Sequence, residues 1–129
     1  MASNLTVDTL TKGATTLNTD ELVDVNNARV CKAWVHFNGA GVVSIGDSFN
    51  VSSVVDTGVG KYTVNWLTDF ASVNYAVAGH AFDNAANAVF FGSNIANIQT
   101  VGAFSFTSYS YSAVIYDTER NSVIAFGDQ

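Results

Sequence analysis

The chain has 129 residues, 48% of them hydrophobic and only 12% charged, with a formal net charge of −6. One domain of this length can bury a real core. Its five basic residues, Lys12, Arg29, Lys32, Lys61 and Arg120, are scattered singly, which argues against nucleic acid and anionic membranes as partners, because phosphate contacts need a cationic patch.

The opening MASNLTVDTLTKG has no basic region ahead of an apolar run, so it does not read as a secretory signal. Residues 1–28 are rich in Thr, Asn and Asp, lack aromatic residues and space Leu5, Leu10, Leu17 and Leu22 too widely for a helical stripe. Such a segment cannot bury enough apolar area to fold alone, and it reads as an extended N-terminal arm that docks on another protein. A poorly ordered terminus with no role, and a short helix over Thr19–Val23 capped by Asn18 or Thr19, are the alternative readings.

From Arg29 onward the pattern is that of strands. In Val30–Phe37, Cys31, Ala33, Val35 and Phe37 share one face, while Lys32, Trp34 and His36 share the other. The first is the better core face, so Trp34 needs cover that a neighbouring subunit could supply. Cys31 is the only cysteine; no intrachain disulfide can form, which fits assembly in a reducing cytoplasm. Inside an apolar strand a lone Cys behaves as a small buried hydrophobe. Asn38-Gly39-Ala40-Gly41 predicts a tight reversal. Strands over Val42–Ile45 and Phe49–Val55 follow, and the Asp56–Gly60 turn leads into Tyr62–Trp66, where Tyr62, Val64 and Trp66 alternate with polar partners.

The second half repeats this grammar. Asn74–Phe82 and Ala88–Phe91 flank an Asn-rich turn and read as a hairpin. Ala103–Phe106 and Tyr109–Tyr116 read as two further strands, with Asn121-Ser122 as the turn before Val123–Phe126. About eight strands with short turns predict an all-β fold over residues 29–129, an antiparallel β-sandwich or jelly-roll-like domain. Proline is absent, so strand edges lack its protection and oligomerisation would cover them. No stretch is long and apolar enough for a membrane-spanning helix, and no membrane insertion is expected.

Few residues suggest chemistry. The same-face neighbours of His36 and His80 are Trp34, Asn38, Ala78 and Phe82, none a usual metal ligand, although the two imidazoles could meet in space. No Gly-x-Ser-x-Gly elbow is present. Asp117 and Glu119, beside Arg120, read as a solvated hairpin end, and Asp20, Glu21 and Asp24 lack calcium-loop spacing. No catalytic, cofactor or metal site is expected. Tyr109 and Tyr111, together with Trp34, are candidates for a subunit interface, since tyrosine combines large contact area with a polar tip. Asn84, Asn87, Asn94 and Asn97 in the turns are candidate receptor contacts that could hydrogen-bond sugar hydroxyls; turn chemistry explains them equally well.

The segment CKAWVHFNGAG, followed by SFNVSSVVDTGVGKYTVNW, covers Cys31–Trp66, about a third of the chain. It resembles a segment of tail-fibre and other structural proteins of tailed bacteriophages, including those infecting cyanobacteria. Their pattern is a CKAW-hydrophobic-x-FNG opening, then SFNVSS, a D-x-G-x-G turn and YTVNF. This chain departs from it at Trp66, where Phe is usual, and at His36, where a small polar residue is usual. The resemblance implies a non-enzymatic virion protein made in the host cytoplasm. It would be a tail fibre or receptor-binding tip that mediates host adsorption as a homotrimer. The arm would hold it to baseplate, tail or capsid, and the partner at the tip would be a host surface glycan or protein. A capsid decoration protein or head fibre, and a free carbohydrate-binding module, are the alternative expectations.

Overall fold

The computed structural model describes residues 9–12, 15–18, 30–83, 89–92, 99–110 and 112–129. Every regular element among them is a strand, as expected. In the arm, β1 (Thr9–Lys12) pairs antiparallel with β2 (Thr15–Asn18) as a separate two-stranded sheet. The helix considered for Thr19–Val23 lies outside the described residues.

The remaining strands are β3 (Cys31–Asn38), β4 (Ser44–Phe49), β5 (Val51–Gly58), β6 (Lys61–Trp66), β7 (Ala76–Phe82), β8 (Val89–Gly92), β9 (Ala103–Ser110) and β10 (Arg120–Phe126). They form two four-stranded antiparallel sheets, ordered β4-β3-β10-β7 and β5-β6-β9-β8. The two sheets pack face to face as a sandwich. Ala33, Val35, Phe37, Val123 and Ala125 come from the first sheet and Tyr62, Val64, Trp66, Phe104 and Phe106 from the second, all buried. Phe37 joins the layers, with its ring centroid 5.2 Å from that of Tyr62 and 6.2 Å from that of Phe106. The period-2 alternation in β3 and β6 is what puts these side chains inward. Cys31, at the rim, is only half-buried and donates from Sγ to the Ala33 carbonyl at 3.3 Å.

Two buried tyrosines close the ends of the core. Tyr75 stacks on Phe70 at 4.1 Å, and its hydroxyl accepts from Trp66 Nε1 at 3.2 Å while reaching the Ala103 carbonyl at 2.8 Å. At the other end the Tyr62 hydroxyl lies among the Gly39 carbonyl, the Thr118 N–H and Asp117 Oδ1. Asp117 also accepts from Gly60 N–H at 2.7 Å, and it is half-buried. It is therefore an anchor for the β5–β6 turn, not the solvated hairpin end expected from its charged neighbours. Gly60 has φ +62°, and a Cβ there would come within 2.6 Å of Ile115 Cγ2 and 2.7 Å of the Tyr116 carbonyl oxygen, so the turn requires glycine.

Several boundaries differ from expectation. β4 runs straight through Gly46-Asp47, which lie between the strands expected over Val42–Ile45 and Phe49–Val55. Gly46 is instead the extra residue of a bulge, because His36 faces Asp47 while Phe37 faces Ile45. The chain changes sheet at Asn50, where φ is +54°. The Asn50 side chain fixes this kink by donating to the Lys32 carbonyl at 3.0 Å and accepting from Thr68 N–H at 2.8 Å. β7 and β8 do not form the expected hairpin; they lie in different sheets. β9 is one strand through Ser110, and residues 112–119 are a loop in which Ala113 has φ +58°. Asn121-Ser122 is no turn either. Asn121 is fully buried inside β10, with its amide donating to the Thr118 carbonyl at 2.9 Å and its Oδ1 accepting from Thr118 Oγ1 at 2.6 Å. A polar pair is legible as a turn only when its side chains are unsatisfied elsewhere, and here tertiary hydrogen bonds satisfy them.

Candidate functional site

The outer face of the β4-β3-β10-β7 sheet carries the side chains that the core does not use. Strand register arranges them in rows across all four strands. Trp34 faces Phe49 on one side and Ile124 on the other, and Ile124 faces Ala78. The result is a continuous apolar row, Phe49–Trp34–Ile124–Ala78. Phe49 is 55% exposed and Ile124 40%, while Trp34 is half-buried between its neighbours.

The adjacent row is polar: Asp47, His36, Ser122 and His80 stand opposite one another in that order. His36 Nδ1 and Ser122 Oγ are 3.0 Å apart. The two histidines thus share one face but do not meet, since β10 and its Ser122 separate them. A nucleophilic serine needs an imidazole that a carboxylate orients. Asp47 is the nearest in register, yet its Oδ1 accepts from the Ser48 N–H at 2.8 Å. Among the described residues no group of three or more His, Cys, Asp or Glu side chains is placed to hold a metal ion. Beyond this row Arg120 lies 5.7 Å over the Phe82 ring, and His80 stacks on the same ring at 6.3 Å. Phe82 is the hub of a small cationic–aromatic corner.

Towards β7 the face is hollow. Ala78 and Gly79 offer almost no side chain, and together with His80, Ser122 and Ile124 they line an open depression of about 240 Å³. Towards β4 it ends in the exposed Phe49 ring on the edge strand. One sheet face therefore carries an exposed aromatic ring at one edge and a recess at the other.

The opposite outer face, on β5-β6-β9-β8, differs in chemistry. Thr63 and Ser105 hydroxyls lie 2.7 Å apart, and Asn65 Nδ2 donates to Ser53 Oγ at 3.0 Å. These rungs bond to one another across the strands. Tyr109, half-buried, belongs to this second face by its parity with Ser105 in β9, whereas Phe104 and Phe106 point inward. Trp34 and Tyr109 thus occupy opposite sides of the sandwich and cannot share a single flat interface. Tyr111, Asn84, Asn87, Asn94 and Asn97 lie outside the described residues. Phe49, Ile124 and Ala78 were missed in the sequence. Each sits on non-core parity and was visible as such, but the register that aligns them with Trp34 is a long-range property.

Among the described residues no helix is long and apolar enough to cross a membrane. Compared with protein-family models, curated proteins and solved structures, the chain matches none.

Proposed function

We propose that the chain is a non-enzymatic structural protein of a phage virion, a tail fibre or receptor-binding tip that serves host adsorption as a homotrimer. The observation that carries the reading is the outward row Phe49–Trp34–Ile124–Ala78. It projects large apolar groups from a rigid sheet where a monomer would keep polar ones. The segment Cys31–Trp66, on which the phage resemblance rests, supplies β3 to β6, and with them Trp34 and Phe49. The arm attaches the domain to another virion protein, and many weak tip contacts add up through multivalency on the particle.

The test is to localise the protein in purified virions with a labelled antibody and to ask whether that antibody blocks adsorption. Labelling at the tail with loss of adsorption is the expected result. Label spread over the capsid would identify a decoration protein, and absence from the particle would overturn the virion reading.

A further inference from the structure

We propose that the outer face of the β4-β3-β10-β7 sheet binds further copies of this chain, with Phe49 of one copy seated in the Ala78–Gly79–His80 hollow of the next, three copies closing a ring. This rests on the homotrimer of the preceding reading and names the surface that makes it.

Three features of the face point to this occupant. The first is size. The apolar row ends in the large, exposed Phe49 ring at the β4 edge and in the recess over Ala78 at the β7 edge. Because the two residues end the same row, copies standing side by side in one orientation bring knob and hollow to the same height. The second is charge. The neighbouring row ends in Asp47 at β4 and His80 at β7, so the seam that seats Phe49 also sets an acid against an imidazole. A knob and its hollow at opposite edges of one surface make a head-to-tail contact, which closes into a ring when the rotation allows.

The third is dimension. Four strands at about 4.8 Å, counting one gap at the seam, make each side of a triangular ring about 19 Å wide, which puts its axis about 5.5 Å from each sheet; half the ~10 Å spacing of stacked sheets is nearly the same distance. Side chains from three faces therefore fill the axis, and Trp34 and Ile124, mid-row, point at it. The alternation of strand direction also continues across the seam, because an even number of strands makes β4 and β7 run oppositely. The Gly46 bulge interrupts the β4 ladder at this edge, so side chains carry the contact.

Disulfide trapping tests the arrangement. Asp47→Cys and His80→Cys, which end the neighbouring row on β4 and β7 and leave Phe49 and Ala78 in place, are combined in a Cys31→Ser background, which removes the single native thiol. Within one copy the two positions are separated by three strand spacings, about 14 Å. A disulfide needs Cα atoms within roughly 7 Å, so only neighbouring copies can be linked. Oxidation should give a covalent trimer on a denaturing gel, and neither single-Cys variant should give more than a dimer. Ala78→Trp, which fills the hollow from an exposed strand position, should lower the sedimenting mass to one third with the thermal transition retained.

A parent protein that sediments as a monomer would overturn both the homotrimer and this surface. A trimer that yields no cross-link and is untouched by Ala78→Trp would overturn the knob-and-hollow contact alone and leave the face to another occupant, such as the arm. Covalent dimers without trimers would replace the ring by a two-fold pair, and an unending ladder would replace it by an open filament; either result overturns the closed ring.

Discussion

The Tyr62 hydroxyl lies 3.3 Å from Asp117 Oδ1, so a strand in the middle of one sheet is tied to the loop that leads into the last strand of the other. The same hydroxyl is 3.1 Å from the Gly39 carbonyl and accepts from Thr118 N–H at 3.2 Å. Gly39 N–H in turn donates to the Thr118 carbonyl at 2.9 Å. One phenol thus joins β6 to the β3–β4 connection and to Asp117 and Thr118, and Asp117 in turn holds the β5–β6 turn through Gly60 N–H.

Tyr62→Phe keeps the ring packed against Phe37 and Phe106 but leaves the Thr118 N–H and the Gly39 carbonyl without this partner. Buried polar groups so exposed to loss cost about 1–3 kcal/mol. Urea unfolding of the variant should show a lower midpoint with an unchanged slope, since the surface exposed on unfolding is the same. An unchanged midpoint would show that water replaces the hydroxyl.

Alkaline pH should act on the same group. Burial, with a further contribution from the Asp117 carboxylate, pushes the Tyr62 phenol from its ordinary value of 10.0 up to about 12. The folded protein then holds this proton more tightly than the unfolded chain. The associated stability is intact below pH 10 and is lost as pH rises from about 10 to about 12. Tyr75, also raised by burial, adds in the same direction. Denaturation followed by tyrosinate absorbance should show a steeper loss of stability in this window for the parent than for Tyr62→Phe.

Trp66→Phe tests the other end of the core. The indole donates to Tyr75 and meets the rings of Phe70 and Tyr75 edge-on at 5.7 and 6.1 Å. Phenylalanine preserves an aromatic ring but removes the N–H and leaves space beside it. A loss of about 1–3 kcal/mol, from one hydrogen bond plus the void, should appear in thermal or denaturant unfolding.

Trp34→Asp should separate assembly from folding. Trp34 points away from the core formed by Ala33 and Val35 on the same strand. The substitution should abolish the proposed trimer in sedimentation at micromolar protein while leaving the strand signal in circular dichroism. Its cost to the isolated domain should stay near 1 kcal/mol, as for other half-exposed positions. Loss of the strand signal would place Trp34 in the folding core instead.

What the sequence made legible follows a physical divide. Ala33, Val35, Phe37, Tyr62, Val64 and Trp66 were readable as core because alternation is a local signal. Asp117 and Asn121 were misread, because polar residues take their meaning from tertiary partners, Gly60 for Asp117 and the 118 loop for Asn121, and the Gly46 bulge, set by register against His36, had no local signal. The candidate face shows the same division. Trp34 stood out alone by parity, but its row-mates Phe49, Ile124 and Ala78 come from three other strands, and only register aligns them.

The pairing of Cys31 with Phe126 places the first strand of the sandwich and the last side by side at one end of the same sheet. Tension applied between these two points would load the β3–β10 hydrogen bonds one rung at a time, as a zipper opens, and would not shear them together. The domain is mechanically weakest when pulled by both its ends. The same proximity makes the domain a good subject for circular permutation: a short linker can join the two ends, and new termini can be opened in the exposed loop around Val114.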